Sequence, residues 1–512
     1  MSRPASWRRE ATRLTAVVVL AAAMGLSGAV SAAAAGCLGG VDADFNGDGL
    51  RDTAIADPEA TVSGQQRAGL IRVVLGGGKG VVEVSQDMPN VSDGAEAGDR
   101  FGFSFAVYDA DLDGCSDLAV GIPYEDVDTG EDAGLVHLVY GSTLGIGVGK
   151  KDVGFGQGAS RLLHEVPENG DLVGYSVATT VSATGHPYLI IGTPGEDLPS
   201  GPDTGLVNAV QSAALDVATI TQDSPGVWES AEAHDRFGFS VAAAGNWFTV
   251  GVPGESIGLA RGAGAISVFK TSIDISGIPA PAWGSGQARN GVGDSFAEAG
   301  DGYGTSVAMA AHRTTTTTPP GDALIAVGVP GEDLGALADA GGIQIGQVTW
   351  DSRAVWHSWI TQDSADMEAV AETGDRFGQS VVAVNTSPTV VGTAATMRVA
   401  AGAPGEDSGT GVTDVGGVGL LPLLGAPGAS DVWLEAGDGI PAEPADHLLA
   451  GLNLGTTGSS ALLVGLPYAK TGDRAVHSYA WTTGSGGSPT QTWKPGQGGI
   501  PADNVAFGTA IR

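Results

Sequence analysis

Apolar positions along this chain fall into short runs bounded by glycine, proline and acidic residues, and the runs are of two recurring kinds. One kind opens on an aromatic or aliphatic residue and a glycine, at steps ending on Gly102, Gly174, Gly238, Gly304, Gly378, Gly451 and Gly508. The other runs into Gly-X-Pro or a close variant, marked by Pro58, Pro123, Pro194, Pro253, Pro330, Pro404 and Pro467. Runs this short, bounded by turn residues, read as strands. Helical periodicity is scarce beyond the first thirty or so residues.

The two kinds alternate, with prolines spaced 65, 71, 59, 77, 74 and 63 residues apart. A repeat of that length holds four strands and their loops, and small sheets repeated around an axis make a β-propeller. The copy around Pro58 has no aromatic-glycine partner before it, and the step at Gly508 has no proline half after it. Two orphan halves complete one unit. The expectation is an all-β, seven-bladed β-propeller of four-stranded antiparallel blades over residues 37–512. Its ring closes through a blade shared by residues 41–88 and 503–512.

Composition agrees: 83 glycines in 512 residues far exceed the usual share of about 7%, as turns in an all-β array require. Arg3, Arg8, Arg9 and Arg13 precede an apolar Leu14–Met24 stretch and small residues from Ser31 to Ala35. That order predicts a signal peptide over residues 1–35, cleaved near Ala32 to Ala35, and a secreted chain with no membrane span in its mature part. A net charge of −34 repels phosphate backbones, so nucleic acid is excluded as a partner and cations or basic partners are favoured. Cys37 and Cys115 are the two cysteines, and an oxidising compartment predicts a disulfide between them. The competing reading is a lipid anchor on Cys37, giving a cell-surface lipoprotein.

Two segments carry coordination chemistry. Asp44, Asn46, Asp48 and Asp52 stand at positions 1, 3, 5 and 9 of one loop; Asp109, Asp111, Asp113 and Asp117 stand at the same positions of another. Gly49 and Gly114 occupy position 6, and Leu50 and Cys115 at position 7 would each offer a backbone carbonyl. Hard oxygens converging from alternate residues of a tight loop suit calcium better than the stricter magnesium. Two calcium sites are therefore expected, each between an aromatic-glycine strand and a Gly-X-Pro strand. A metal-free hairpin built on Asx-turns is the plainer alternative. With these loops set between the paired motifs, the chain resembles the FG-GAP repeats of the integrin α-subunit propeller and of bacterial secreted FG-GAP proteins, over roughly residues 41–512. The resemblance implies calcium loops on one face and ligand recognition mainly on the other.

Glu125-Asp126, Glu196-Asp197, Glu255-Ser256, Glu332-Asp333 and Glu406-Asp407 follow the Gly-X-Pro turns, and Asp99, Asp235, Asp301 and Asp375 precede aromatic-glycine steps. Strand reversal puts them on the face away from the calcium loops, as a carboxylate rim that is either a solvated repeat feature or a docking surface. Enzyme strings are weak: Ser256 in a G-x-S-x-G match fills a repeat turn, and the S-x-x-K match from Ser267 to Lys270 lies in a repeated strand. His234 reads as an exposed loop residue. The tryptophans Trp228, Trp283, Trp350, Trp356, Trp359, Trp433, Trp481 and Trp493 read as packing anchors near blade edges. The expected function is a calcium-binding, monomeric binding or adhesion module for an extracellular protein or glycan, not an enzyme. A secreted polysaccharide or ester hydrolase on the same propeller is the alternative.

Overall fold

The computed structural model describes residues 36–512 except 160, 274–276, 288–295, 318–320, 410, 446, 471 and 482–486. The segment read as a signal peptide, residues 1–35, lies outside the described residues. Seven antiparallel blades follow one another around a ring. Blade 1 holds strands Thr53–Asp57, Leu70–Val74 and Val81–Val84, and blade 2 holds Ser104–Tyr108, Asp117–Ile122, Leu135–Val139 and Val153–Phe155. Blade 3 runs from Ser176–Val181 through Pro187–Thr193 and Leu206–Gln211 to Asp216–Ile220. Blades 4, 5, 6 and 7 begin at Ser240–Ala244, Ser306–His312, Ser380–Asn385 and Asn453–Thr457. Blade 6 departs from the four-strand plan: Gly439–Ile440 adds a short fifth strand parallel to Val432–Ala436.

The ring closes as the orphan halves require. Ile55 pairs antiparallel with Ile511, and Ala54 and Ala56 exchange backbone hydrogen bonds with Gly508, Ala510 and Arg512. The C-terminus thus supplies the innermost strand of blade 1. Buried Asp57 fastens it, accepting from the backbone of Val505 (3.0 Å) and Ala506 (2.8 Å). Arg72 lies beside Asp57 and donates to Asp503 O at 3.1 Å.

Position in the blade explains the hydrophobic pattern. Second strands such as Asp117–Ile122 and Asp322–Val329 are buried at every residue because neighbouring blades cover both faces. That is why their sequence is a continuous apolar run rather than an alternation. The core is a series of clusters, each spanning two blades. Phe101, from the step that opens blade 2, packs with Ile71 and Val73 of blade 1, and Phe377 of blade 6 packs with Ile343 and Ile345 of blade 5.

The two sequence motifs meet at these junctions. Gly121, of the Gly-X-Pro turn in blade 2, lies so close to blade 3 that an added Cβ would stand 2.1 Å from Gly174 O. The same carbonyl accepts from Ser104 Oγ at 2.7 Å, and Ser176, Ser240 and Ser306 make the equivalent bonds to Gly238, Gly304 and Gly378. The repeat is thus a blade-to-blade joint. Tryptophans pack over glycines of neighbouring strands, as Trp359 does over Gly342 and Trp433 over Gly417, and Trp283 meets Trp356 across blades 4 and 5. Trp350 departs from that role and is 71% exposed.

Candidate metal centre

Both acidic loops lie at one end of the innermost strands. Residues 109–117 join the first two strands of blade 2, and residues 44–52 lead into Thr53–Asp57 beside the C-terminal strand. In each, the first aspartate cradles the loop backbone. Asp44 accepts from the N–H groups of Asp48 (3.1 Å) and Gly49 (2.8 Å), and Asp109 accepts from Asp113 (3.1 Å) and Gly114 (3.0 Å). Asn46 and Asp111 accept from the position-5 N–H, while Asp48 and Asp113 accept from Leu50 and Cys115 at position 7. Gly49 and Gly114 have φ of +83° and +92°, a left-handed turn that glycine makes without penalty.

Position 9 is where the charge is hardest to hold. Asp52 and Asp117 are fully buried. Asp117 accepts from Ala110 N and Gly141 N, yet burial, with Asp111 and Asp109 adding repulsion, pushes its carboxyl up to about 8. Burial likewise raises Asp52 and Asp109. Carboxylate oxygens of Asp109, Asp111 and Asp117 converge within 4.8 Å of one another. Each keeps lone pairs beyond those its backbone bonds use. A divalent cation among the three carboxylates of the second loop would supply the missing charge; that chemistry fits calcium, which positions 1, 3, 5, 7 and 9 of each loop would hold.

Two lysines reach the same oxygens. Lys79 lies 2.7 Å from Asp48 Oδ2, and Lys150, set over the Tyr140 ring, lies 2.6 Å from Asp111 Oδ2. The hydrogen bond from Lys79 holds Asp48 below the usual carboxylate range. These ammonium groups were not foreseen; they come from later loops with no fixed spacing to the acidic motif.

The loops form one unit. Asp44 O accepts from Ser116 N at 2.9 Å, and Phe45 O accepts from Ser142 N. Cys37 is disulfide-bonded to Cys115 and packs against Gly47. Asp42, Arg51 and Arg512 lie at this end of the central channel, whose cavity of about 210 Å³ is otherwise lined mainly by the innermost strands.

The opposite face differs from the expected solvated rim. Glu125, Glu196, Glu255, Glu332 and Glu406 turn inward and are buried, as are Asp99, Asp171, Asp235, Asp301 and Asp375. Their neighbours, exposed Asp126, Asp197 and Asp333 and half-buried Asp407, cap their own turns, each accepting from a backbone N–H six or seven residues on. At the channel mouth stands an arc of half-buried aromatics. Phe103 meets Tyr124 at 5.6 Å and Tyr175 at 5.1 Å, and Tyr175 meets Phe239 at 5.0 Å between centroids. Arg100 lies over Tyr124 at 4.7 Å, and a cavity of about 230 Å³ opens between Tyr175, Phe239, Arg236 and Asp203. The sequence held a trace of this arc, since Phe103, Tyr175 and Phe239 each follow a motif glycine.

Ser256 occupies the turn after a Gly-X-Pro step, and Ser267 is buried in the third strand of blade 4. Asp152 joins Ser92 (2.6 Å) and His137 (2.5 Å), but it stands between them, so the serine has no histidine base in this group. His234 is exposed beside Asp203.

Against known proteins, residues 101–139 match the FG-GAP repeat model. Integrin alpha-PS2 of Drosophila melanogaster is 35% identical over 107 residues, 20% of this chain and 7% of that protein. The chain carries an FG-GAP repeat within a seven-bladed propeller. The bovine phosphatidylinositol-glycan-specific phospholipase D is 30% identical to the propeller over 107 residues, 20% of this chain and 13% of the enzyme. The FG-GAP propeller therefore matches only a small fraction of either relative's length. The periplasmic gluconolactonase PpgL of Pseudomonas aeruginosa superposes with a TM-score of 0.41 at 11% identity, over 89% of this chain and 98% of that one. No helix among the described residues is long and apolar enough to cross a membrane.

Proposed function

We propose that the FG-GAP propeller is an extracellular, calcium-braced binding module, with calcium in the two closure loops and a protein or glycan partner on the opposite face. The observation that carries the reading is the aromatic arc Phe103–Tyr124–Tyr175–Phe239 at the channel mouth. Half-buried rings beside arginine and carboxylate give apolar area together with fixed polar contacts, the composition of a recognition surface. A disulfide suits an oxidising, extracellular setting. Calcium in this account is a brace: it rigidifies the seam where the two chain ends meet, at the far end of the strands that present the aromatics.

The test is capture of partners from extracellular and cell-surface extracts on the immobilised protein, in calcium and in chelator. Tyr175→Ala and Phe239→Ala run alongside Asp333→Asn and Asp407→Asn. The expected result is a partner held in calcium, weakened in chelator and lost in the two aromatic variants. Capture that ignores the aromatic variants would move the site elsewhere. Degradation of polysaccharide or ester substrates without any capture would favour a hydrolase.

A further inference from the structure

Five blade junctions repeat one buried constellation. A glutamine just beyond the outermost strand of one blade meets two acids of the next: an aspartate before the aromatic-glycine step and a glutamate after the Gly-X-Pro turn. The sets are Gln86, Asp99 and Glu125; Gln157, Asp171 and Glu196; Gln222, Asp235 and Glu255; Gln287, Asp301 and Glu332; and Gln362, Asp375 and Glu406. Every one of these side chains is at least nine-tenths buried.

The hydrogen bonding repeats as well. In each set the glutamine Nε2 donates to the glutamate Oε2, at 2.7, 2.5, 2.7 and 2.6 Å for Gln86, Gln157, Gln222 and Gln362, and likewise between Gln287 and Glu332. Each aspartate is pinned by the backbone N–H three residues before it, at 2.5–2.7 Å. One atom is left over in all five copies: the glutamine Oε1 is buried without a hydrogen-bond donor.

Charge makes the deficit worse. The groups that bear on each glutamate are acidic: Asp93, Glu96 and Asp99 on Glu125; Glu165, Glu168 and Asp171 on Glu196; Glu229, Glu232 and Asp235 on Glu255. Glu298, Asp301 and Asp333 bear on Glu332, and Glu372, Asp375 and Glu435 on Glu406. Cations enter at second hand, through His234 acting on Asp235 and Arg161 lying 3.7 Å from Asp93. Two buried carboxylates without a counter-charge are strongly disfavoured, and protonation of one relieves the site.

A protonated glutamate also supplies the missing donor. A carboxylic acid and a primary amide form a cyclic pair in which amide N–H meets carboxyl oxygen and carboxyl O–H meets amide oxygen. We propose that each of the five glutamates is a neutral carboxylic acid at neutral pH, donating its O–H to the glutamine Oε1 of the preceding blade, so that a proton is a structural part of each junction. Burial supports this, pushing all five glutamates up to about 8 and the five aspartates only to about 6 or 7. Ionisation releases the proton to solvent, breaks the O–H···O bond and leaves two carboxylates side by side. The folded pKa lies above the ordinary glutamate value of 4.5, so this stability is present in acid and is lost as pH rises through about 8. The junctions are an alkaline-sensitive latch.

The test is unfolding of the whole protein in chelator across about pH 6 to pH 9, with proton release measured calorimetrically in buffers of different ionisation heat. Glu332→Gln and the double change Glu255→Gln with Glu332→Gln keep two hydrogen bonds per junction without the proton. The expected release on unfolding falls by about one proton in the first and about two in the second. Between about pH 5 and pH 8 each altered junction removes about a tenfold rise in the unfolding constant per pH unit, and above that range it removes none. Unchanged proton release overturns the proposal. So does a variant less stable than the parent at pH 9, or a parent stabilised there by added cations in the absence of chelator when Glu332→Gln is not, which would put a metal in the junction.

Discussion

Replacing Cys37 and Cys115 together by serine cuts the cross-link that ties the N-terminal segment to blade 2. The bridge spans 78 residues and so closes a long loop in the unfolded chain. The chain-entropy relation for a loop of that size gives a stabilisation of about 4–5 kcal/mol. The loss should exceed that figure in calcium, because the same bridge packs Cys37 against Gly47 of one loop and fixes the position-7 residue of the other. The assay is urea unfolding of parent and double variant, each in calcium and in chelator. The expected result is a lower midpoint in both media, with the larger loss in calcium. A loss below about 1 kcal/mol would refute the entropic reasoning. Equal losses in the two media would refute the coupling between bridge and loops.

Other perturbations probe separate joints. Gly47→Ala puts a Cβ 2.8 Å from Cys37 Cβ at a φ of +66°, so it should lower calcium-dependent thermal stabilisation while leaving the distant blades folded. Asp57→Ala leaves two N–H groups of the C-terminal strand without their acceptor, while Arg72 keeps Glu83 at 3.0 Å; it should cost about 2–4 kcal/mol and expose residues after 503 to limited proteolysis. Gly121→Ala drives a methyl into Gly174 O, and a melting temperature unchanged from the parent would contradict the blade-to-blade joint. Lys79→Met and Lys150→Met remove ammonium groups that compete for Asp48 and Asp111; calorimetry should show tighter calcium binding in each.

The ring, its seven blades and its closure were legible because the junctions reuse one set of contacts and the sequence repeats them: glycine against glycine, an aromatic or aliphatic residue under the next blade, and at four junctions a serine on the next carbonyl. Both acidic loops stand out for a related reason, since a tight turn whose carboxylates bond its own backbone fixes residue type at every second position. Their union was not. It rests on backbone bonds such as that from Ser116 N to Asp44 O, which place two distant segments side by side without requiring particular side chains. The buried acids were misjudged because Pro-Gly-Glu reads as a polar surface turn. Whether Glu332 faces water or a blade junction depends on Gln287, which arrives from the preceding blade 45 residues earlier. The pair recurs, but its amide and carboxyl stand 33 to 45 residues apart from one junction to the next, so no fixed spacing marks it.

Calorimetric titration of calcium into the chelated protein tests the central claim most directly. Two sites per chain are expected, with one surviving in Asp109→Asn with Asp117→Asn, one in Asp44→Asn with Asp52→Asn, and none when the four changes are combined. Heat that does not depend on these aspartates, or no heat together with identical unfolding in calcium and chelator, would contradict a calcium-braced closure.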